Sequence, residues 1–242
     1  LWWSIAKSDA NATFYQTPAW LDVAQCQSEK YQNASLMGEL TSGVKFVLPL
    51  CSISRLKILK SIHCVYDGCY GGIIADGPIS QAEHAAIWQS ISISPLTNFS
   101  VVRVPGAVYD CPRPDFETDA FASSEVRIDG KSFDEVFGNF GRDRRWEYRR
   151  AAKYDLHFRK ADFQNLAAEF EIFYDIYQDT AQQRWKDEIV GDLLDWAFIE
   201  KFVEVVKTYP ENFHLWFVES DGKPISFATA FDWNKQIGRA HV

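Results

Sequence analysis

The sequence predicts an α+β protein, in which helices and hairpin-forming strands mix without a regular strand–helix alternation. Three observations carry that expectation. Leu166, Phe170, Phe173, Tyr177 and Ala181 follow one another at spacings of four, three, four and four, the apolar face of a helix. NFHLWFVESDGKPISFATAFDW (212–233) is an alternating run broken by Asp221-Gly222, a strong hairpin signal. YQNASLMGEL (31–40) and VKFVLPLCSI (44–53) form a second such pair around Thr41-Ser42-Gly43.

The remaining elements follow in order. Thr17-Pro18 before AWLDVAQCQ sets a helix start, with Thr at the N-cap and Pro in the first turn. Phe14 and Tyr15, just upstream, are placed to pack back onto that helix. LKILKSIHCVY (56–66) reads as a strand running into DGCYGGIIADGP (67–78), the most glycine-rich stretch. SQAEHAAIWQSI (80–91) is a short helix, with Ser80 and Glu83 spaced as a capping box. NFSVVRVPG (98–106) is a strand, and the proline- and acid-rich segment 109–122 reads as a loop or linker. A second half begins near Glu125: an arginine-rich helix, a short strand at LHFRK, the aromatic helix, and another amphipathic helix over 192–208. That last helix turns Leu194, Phe198, Phe202 and Val205 inward, and the hairpin closes the half. Each half runs helix first and strands after, so domains over 1–124 and 125–236 are expected to be two copies of one architecture.

A net charge of -8 argues against a general nucleic-acid binder, whose footprint is basic. No apolar run approaches membrane-spanning length. The five cysteines show no C-x-x-C spacing, so buried reduced thiols are the expectation and a site from His63, Cys64 and Cys69 is not. The chain opens on Leu1 without methionine, and IGRAHV (237–242) looks like translated sequencing adapter. The expectation is a fragment clipped at both ends, with a non-native tail at 237–242.

Charge is concentrated in SFDEVFGNFGRDRRWEYRRAAKYDLHFRK (132–160), where an apolar lead-in of Phe133, Val136, Phe137 and Phe140 precedes a dense basic run. On a helix, Arg142, Arg145, Arg149 and Lys153 fall at spacings of three, four and four and share one stripe. Like charges so placed repel, which asks for an anion or a set of carboxylates facing them. Two readings stay open. Arg145 and Arg149 grip a phosphate-bearing substrate through charge-assisted bonds, or Glu147, other carboxylates and water neutralise them. Trp146 and Tyr148 beside them read as packing residues. Arg184, at the end of the aromatic helix, is either a substrate contact or a cation favoured by the helix dipole. Gly68, Gly71 and Gly72 lie where a backbone phosphate cradle would sit, but the simpler reading is an unusual backbone turn. Asp67, Tyr70 and Asp76 flank that turn and are candidates to line a cleft between the halves. No Ser-His-Asp or Cys-His arrangement is evident, consistent with direct group transfer.

Several segments together resemble one family. ATFYQTPAWLDV (12–23), LPL (48–50) and YGGIIADGP (70–78) are similar to first-domain signatures of the FemAB-like branch of the GNAT acyltransferase superfamily. RRWEYRRAAKYDLHFR (144–159), FYDIYQDTAQQRW (173–185) and SDGKPISFATAF (220–231) resemble second-domain signatures, in the right order. The resemblance implies two tandem GNAT-like domains, the second incomplete. It also implies a bacterial-type N-acyltransferase moving an acyl group from acyl-CoA or aminoacyl-tRNA, as co-substrate, to an amine on a peptidoglycan or exopolysaccharide precursor. No bound cofactor and no metal are implied. The implied partners are an anionic small-molecule or lipid-linked precursor and, for an aminoacyl donor, tRNA. The implied location is the cytoplasm, at the inner face of the membrane. Arg184, Arg145, Arg149, Tyr70, Asp67 and Asp76 are the substrate-binding candidates. The donor-holding strand, turn and helix, with the catalytic groups, would lie beyond Gln236, leaving this piece inactive by itself. The rival expectation is an inert GNAT-like scaffold that binds an anionic sugar or partner protein. Residues 224–233 are expected to form an exposed sheet edge.

Overall fold

The computed structural model describes residues 1–28, 30–55, 59–63, 71–91, 97–100, 126–184 and 194–239. The segments expected as linker (109–122) and as the second part of the strand at 98–106 lie outside the described residues, as do Asp67, Gly68, Tyr70 and Cys64, Cys69 and Cys111.

The chain begins with helix α1 (Trp2–Ser8), a turn of 3-10 helix at Phe14–Gln16 and helix α2 (Pro18–Gln27), with Pro18 in the first turn as expected. The two long strands predicted over 31–53 are each cut in half. β1 (Gln32–Asn33) is separated from β2 (Leu36–Glu39), and β3 (Lys45–Leu48) from β4 (Cys51–Arg55). Pro49, lacking an N–H, ends the first ladder. Ser35 bridges the break: its hydroxyl donates to the Leu50 carbonyl at 3.2 Å and accepts from the Leu50 N–H at 3.0 Å. Beyond the break the strands change sheets. β2, β3 and β6 (Ile74–Ala75) form one antiparallel sheet, while β1, β4, β5 (Leu59–His63) and β7 (Thr97–Ser100) form another, with β5 and β7 parallel. Helix α3 (Gln81–Ser90) carries the predicted capping box of Ser80 and Glu83.

In the second half, α4 (Phe133–Gly138) and α5 (Arg142–Ala151) precede β8 (Leu156–Lys160), α6 (Leu166–Arg184), α7 (Trp196–Thr208), β9 (Phe213–Ser220), β10 (Lys223–Trp233) and β11 (Gln236–Arg239). α7 starts four residues later than expected, because Asp195 caps it by accepting from the Phe198 N–H at 2.7 Å. Strands β8 to β11 make one antiparallel sheet in the order β11-β10-β9-β8. Its central turn holds Asp221 and Gly222 at φ of 51° and 71°, the double left-handed geometry of a tight hairpin. The predicted face of α6 is buried at all five positions. Mixed helices and antiparallel sheets place the protein in the α+β class.

The expectation of an unpaired edge over 224–233 is corrected in part. Asn234 and Lys235 adopt positive φ and turn the chain back, so Ala230 to Trp233 pair with β11. Within β10, only the earlier part lacks a second neighbour among the described residues.

One apolar core runs through both halves. Ile5, Phe14, Trp20 and Leu48 belong to it together with Phe170, Phe202, Phe213 and Phe231. Phe14 stacks on Phe231 with ring centroids 4.5 Å apart, and Trp233 donates from its indole to the Ala6 carbonyl at 2.9 Å. Tyr15 and Trp20 meet edge to face, so Tyr15 packs back onto α2, while Phe14 stacks on Phe231.

Candidate functional site

Helices α4 and α5 form a hairpin in which neither helix has a buried residue. Local chemistry therefore holds it together. Ser132 accepts from the Glu135 N–H, while the Glu135 carboxylate accepts from the Ser132 N–H at 2.7 Å, a complete capping box. The helices clasp through rings: Phe133 stacks on Phe137, and Phe137 meets Tyr148 at 4.8 Å. Arg145 donates to the Gly138 carbonyl at the end of α4, occupying an acceptor that the helix terminus leaves open.

Between the helices lies an open groove of about 620 Å³, lined by Asp134, Phe137, Gly138, Arg142, Asp143, Arg145, Trp146 and Arg149. Three of the four stripe residues line it. The fourth does not share the helix: α5 ends at Ala151, and Lys153 sits in the following turn, its N–H bonded to the Arg150 carbonyl. The stripe also does not lie at a seam between the two halves, since every lining residue comes from this one hairpin.

Neutralisation of the arginines is incomplete. Arg144 pairs with Glu147 at 2.9 Å, both well exposed, an arrangement of small energetic weight. Arg150 sits over the Trp146 ring at 5.3 Å. Among the described residues Arg142 and Arg149 have no carboxylate partner within ion-pair distance. The groove thus offers two unpaired guanidinium groups, a third tied to a carbonyl, and an indole face. Asp134 and Asp143 are its only carboxylates among the described residues. Among the described residues the lining carries no hydroxyl, thiol or imidazole, and its unpaired guanidinium groups are of the kind that bind anions.

The other candidates stand elsewhere. Asp76 accepts from the Lys45 N–H at 2.8 Å and returns a backbone bond to it, prolonging the β3–β6 pairing on the surface. It does not line the groove. Arg184 is the last residue of α6, and its side chain lies outside the described residues. Gly72 has φ of 102°, and the buried Gln16 amide donates to the carbonyls of Gly71 and Gly72 at 3.3 Å each. The left-handed backbone at Gly72 fits the turn reading of these glycines.

Sequence reasoning missed the α4 wall of the groove, although Ser132-x-x-Glu135 was available as its signal. It also missed a pair on the second sheet. His214 on β9 brings Nε2 to 3.4 Å from Asp232 Oδ1 on β10 and stacks against Trp216. His214 Nδ1 is buried without a hydrogen-bond partner among the described residues.

No group of three or more His, Cys, Asp or Glu residues positioned to hold a metal occurs among the described residues, and no described helix is long and apolar enough to cross a membrane. No protein-family model matches the chain, and no curated protein matches it.

Proposed function

We propose that this chain is part of an acyl- or aminoacyltransferase that moves an acyl group from acyl-CoA or aminoacyl-tRNA to an amine on an anionic cell-envelope or polysaccharide precursor. One observation carries the reading. The segments that resemble the second FemAB-like domain fall in order on α5, β8, α6 and the β9–β10 hairpin, and β8 to β10 lie side by side in one antiparallel sheet. The arginine groove on the preceding hairpin supplies the positive charge that a phosphate-bearing acceptor requires. Its lining holds the acceptor; the transfer itself needs groups outside the groove.

The test uses the intact protein with radiolabelled aminoacyl-tRNA or acyl-CoA and amine-bearing, phosphate-linked precursors. Label should move to the amine, and Arg142→Ala with Arg149→Ala should raise KM for the acceptor more than it lowers kcat. Absence of transfer from every donor would remove the enzyme reading. A second reading is an inert scaffold binding an anionic sugar or protein, supported by the unpaired Arg142 and Arg149 guanidinium groups in the groove. It predicts saturable anion binding at Arg142 and Arg149 with no turnover.

A further inference from the structure

We propose that the α4–α5 hairpin docks the protein on an anionic lipid bilayer, with arginines against headgroup phosphates and exposed rings in the interfacial layer. The proposal does not rest on acyl transfer, because attachment to a surface requires no turnover.

The charge distribution is the first ground. Residues 142–160 carry eight Lys or Arg and three Asp or Glu, whereas the chain as a whole carries -8. This stretch therefore carries a net positive charge within an acidic chain. Within it, Arg142, Arg149 and Lys153 have no carboxylate partner among the described residues, so they are available to an outside anion. Each cation brought near such a surface strengthens attachment about fivefold.

The rings are the second ground. Phe133 is 60% exposed, Trp146 57% and Tyr154 60%, on or just after helices that bury nothing against the rest of the protein. Phe140, also exposed, sits at the tip between the helices. Trp146 shares the groove with Arg142 and Arg149, so cation and indole present to the same side. An indole flanked by guanidinium groups suits the boundary where one end of a ring is wet and the other apolar.

A nucleic-acid strand fits less well. Exposed rings could stack on bases, but Asp134 and Asp143 in the groove would meet a continuous line of phosphates. Separate headgroups arrange around two carboxylates; a fixed polyanion does not.

The experiment is co-flotation of the full chain with vesicles of phosphatidylcholine alone and of phosphatidylcholine mixed with phosphatidylglycerol. Single-stranded RNA and inorganic pyrophosphate serve as separate arms. Binding is expected only to the phosphatidylglycerol vesicles, to weaken at high salt, and to fall about thirtyfold in Arg142→Gln with Arg149→Gln. Both residues are exposed, and an unchanged circular dichroism spectrum confirms folding of the variant. On binding, tryptophan emission should shift to the blue in the parent protein and less so in Trp146→Phe. Equal binding to both vesicle types, no flotation, or an affinity untouched by the double variant overturns the proposal. RNA or pyrophosphate bound while vesicles are not also overturns it, in favour of a soluble polyanion or a phosphate subsite.

Discussion

Arg159 on β8 is held by Glu169 of α6, one guanidinium nitrogen reaching both carboxylate oxygens at 2.7 and 2.9 Å. Its Nε donates to Glu219 on the neighbouring strand, and the guanidinium lies 4.6 Å from the Phe217 ring centre. Glu169 also accepts from the Asp162 N–H at 3.0 Å, which anchors the chain between β8 and α6. A single cation thus joins the sheet to its helix.

Arg159→Met should therefore strand a buried carboxylate. Complete burial of such a pair makes removal of one partner cost ~3–5 kcal/mol. Arg159 keeps 31% of its side chain in water, so a loss of about 2–3 kcal/mol is expected. Urea unfolding measures it. A midpoint equal to the parent's would mean that the carboxylates are solvated in the native protein.

The Phe14–Phe231 stack makes a second expectation concrete. It joins a residue near the chain start to the hairpin more than two hundred positions later, within a cluster that includes Trp20, Phe202 and Phe213. Phe231 is 2% exposed, so Phe231→Ala should cost about 3–5 kcal/mol. Because the core is continuous, tryptophan fluorescence and far-UV circular dichroism should lose signal together in urea. Two separated transitions would show that the halves unfold independently.

Much of this fold was legible because its signals are local. The α6 face, the Asp221-Gly222 turn, the Ser80 cap and the Pro18 helix start each need only a few adjacent residues to specify them. What escaped depends on pairing across distance. Nothing within 44–53 says that β3 and β4 join different sheets; the swap rests on Ser35 answering the Leu50 backbone fifteen residues away. The His214–Asp232 pair escaped because the register shifts between Pro224 and Ser226, so counting outward from the turn misaligns the strands. The arginine stripe was visible, but its setting was not. Periodicity places Arg142, Arg145 and Arg149 together, while only the packing of Phe133 and Phe137 on Tyr148 decides which helix forms the opposite wall.

Burial pushes the thiols of Cys26 and Cys51 up to about 11, with Asp22 adding to the effect at Cys26. Both remain neutral at physiological pH and should react with a disulfide reagent only as fast as the surrounding core opens. In the unfolded chain these thiols ionise near 9.0, so the unfolded state releases their protons first. Stability contributed by the neutral thiols is full below about pH 9 and falls as pH rises toward 11. Replacing both cysteines by Ala should flatten that alkaline decline. Rapid labelling of Cys26 and Cys51 in native protein at pH 8 would contradict the burial that causes the shift.

The hairpin that carries the groove should be the first part of the second half to open. α4 has six residues and α5 ten, neither buries a side chain, and helices this short are marginal without packing. Amide exchange should therefore be faster across α4 and α5 than across α7, which buries Phe198, Ile199, Phe202, Val203 and Val206. Ser132→Ala removes one arm of the capping box and should cost the hairpin about 1 kcal/mol. That loss is local, so exchange in α4 should accelerate while the global urea midpoint stays at the parent's value. The groove should feel it too, because α4 supplies Asp134, Phe137 and Gly138 to its lining and receives the Arg145 bond at its end. Anion affinity should drop with the cap and return when Ser132 is replaced by Asp, which caps equally well. Unchanged affinity in Ser132→Ala would separate the groove from α4 and leave recognition to the arginines of α5 alone.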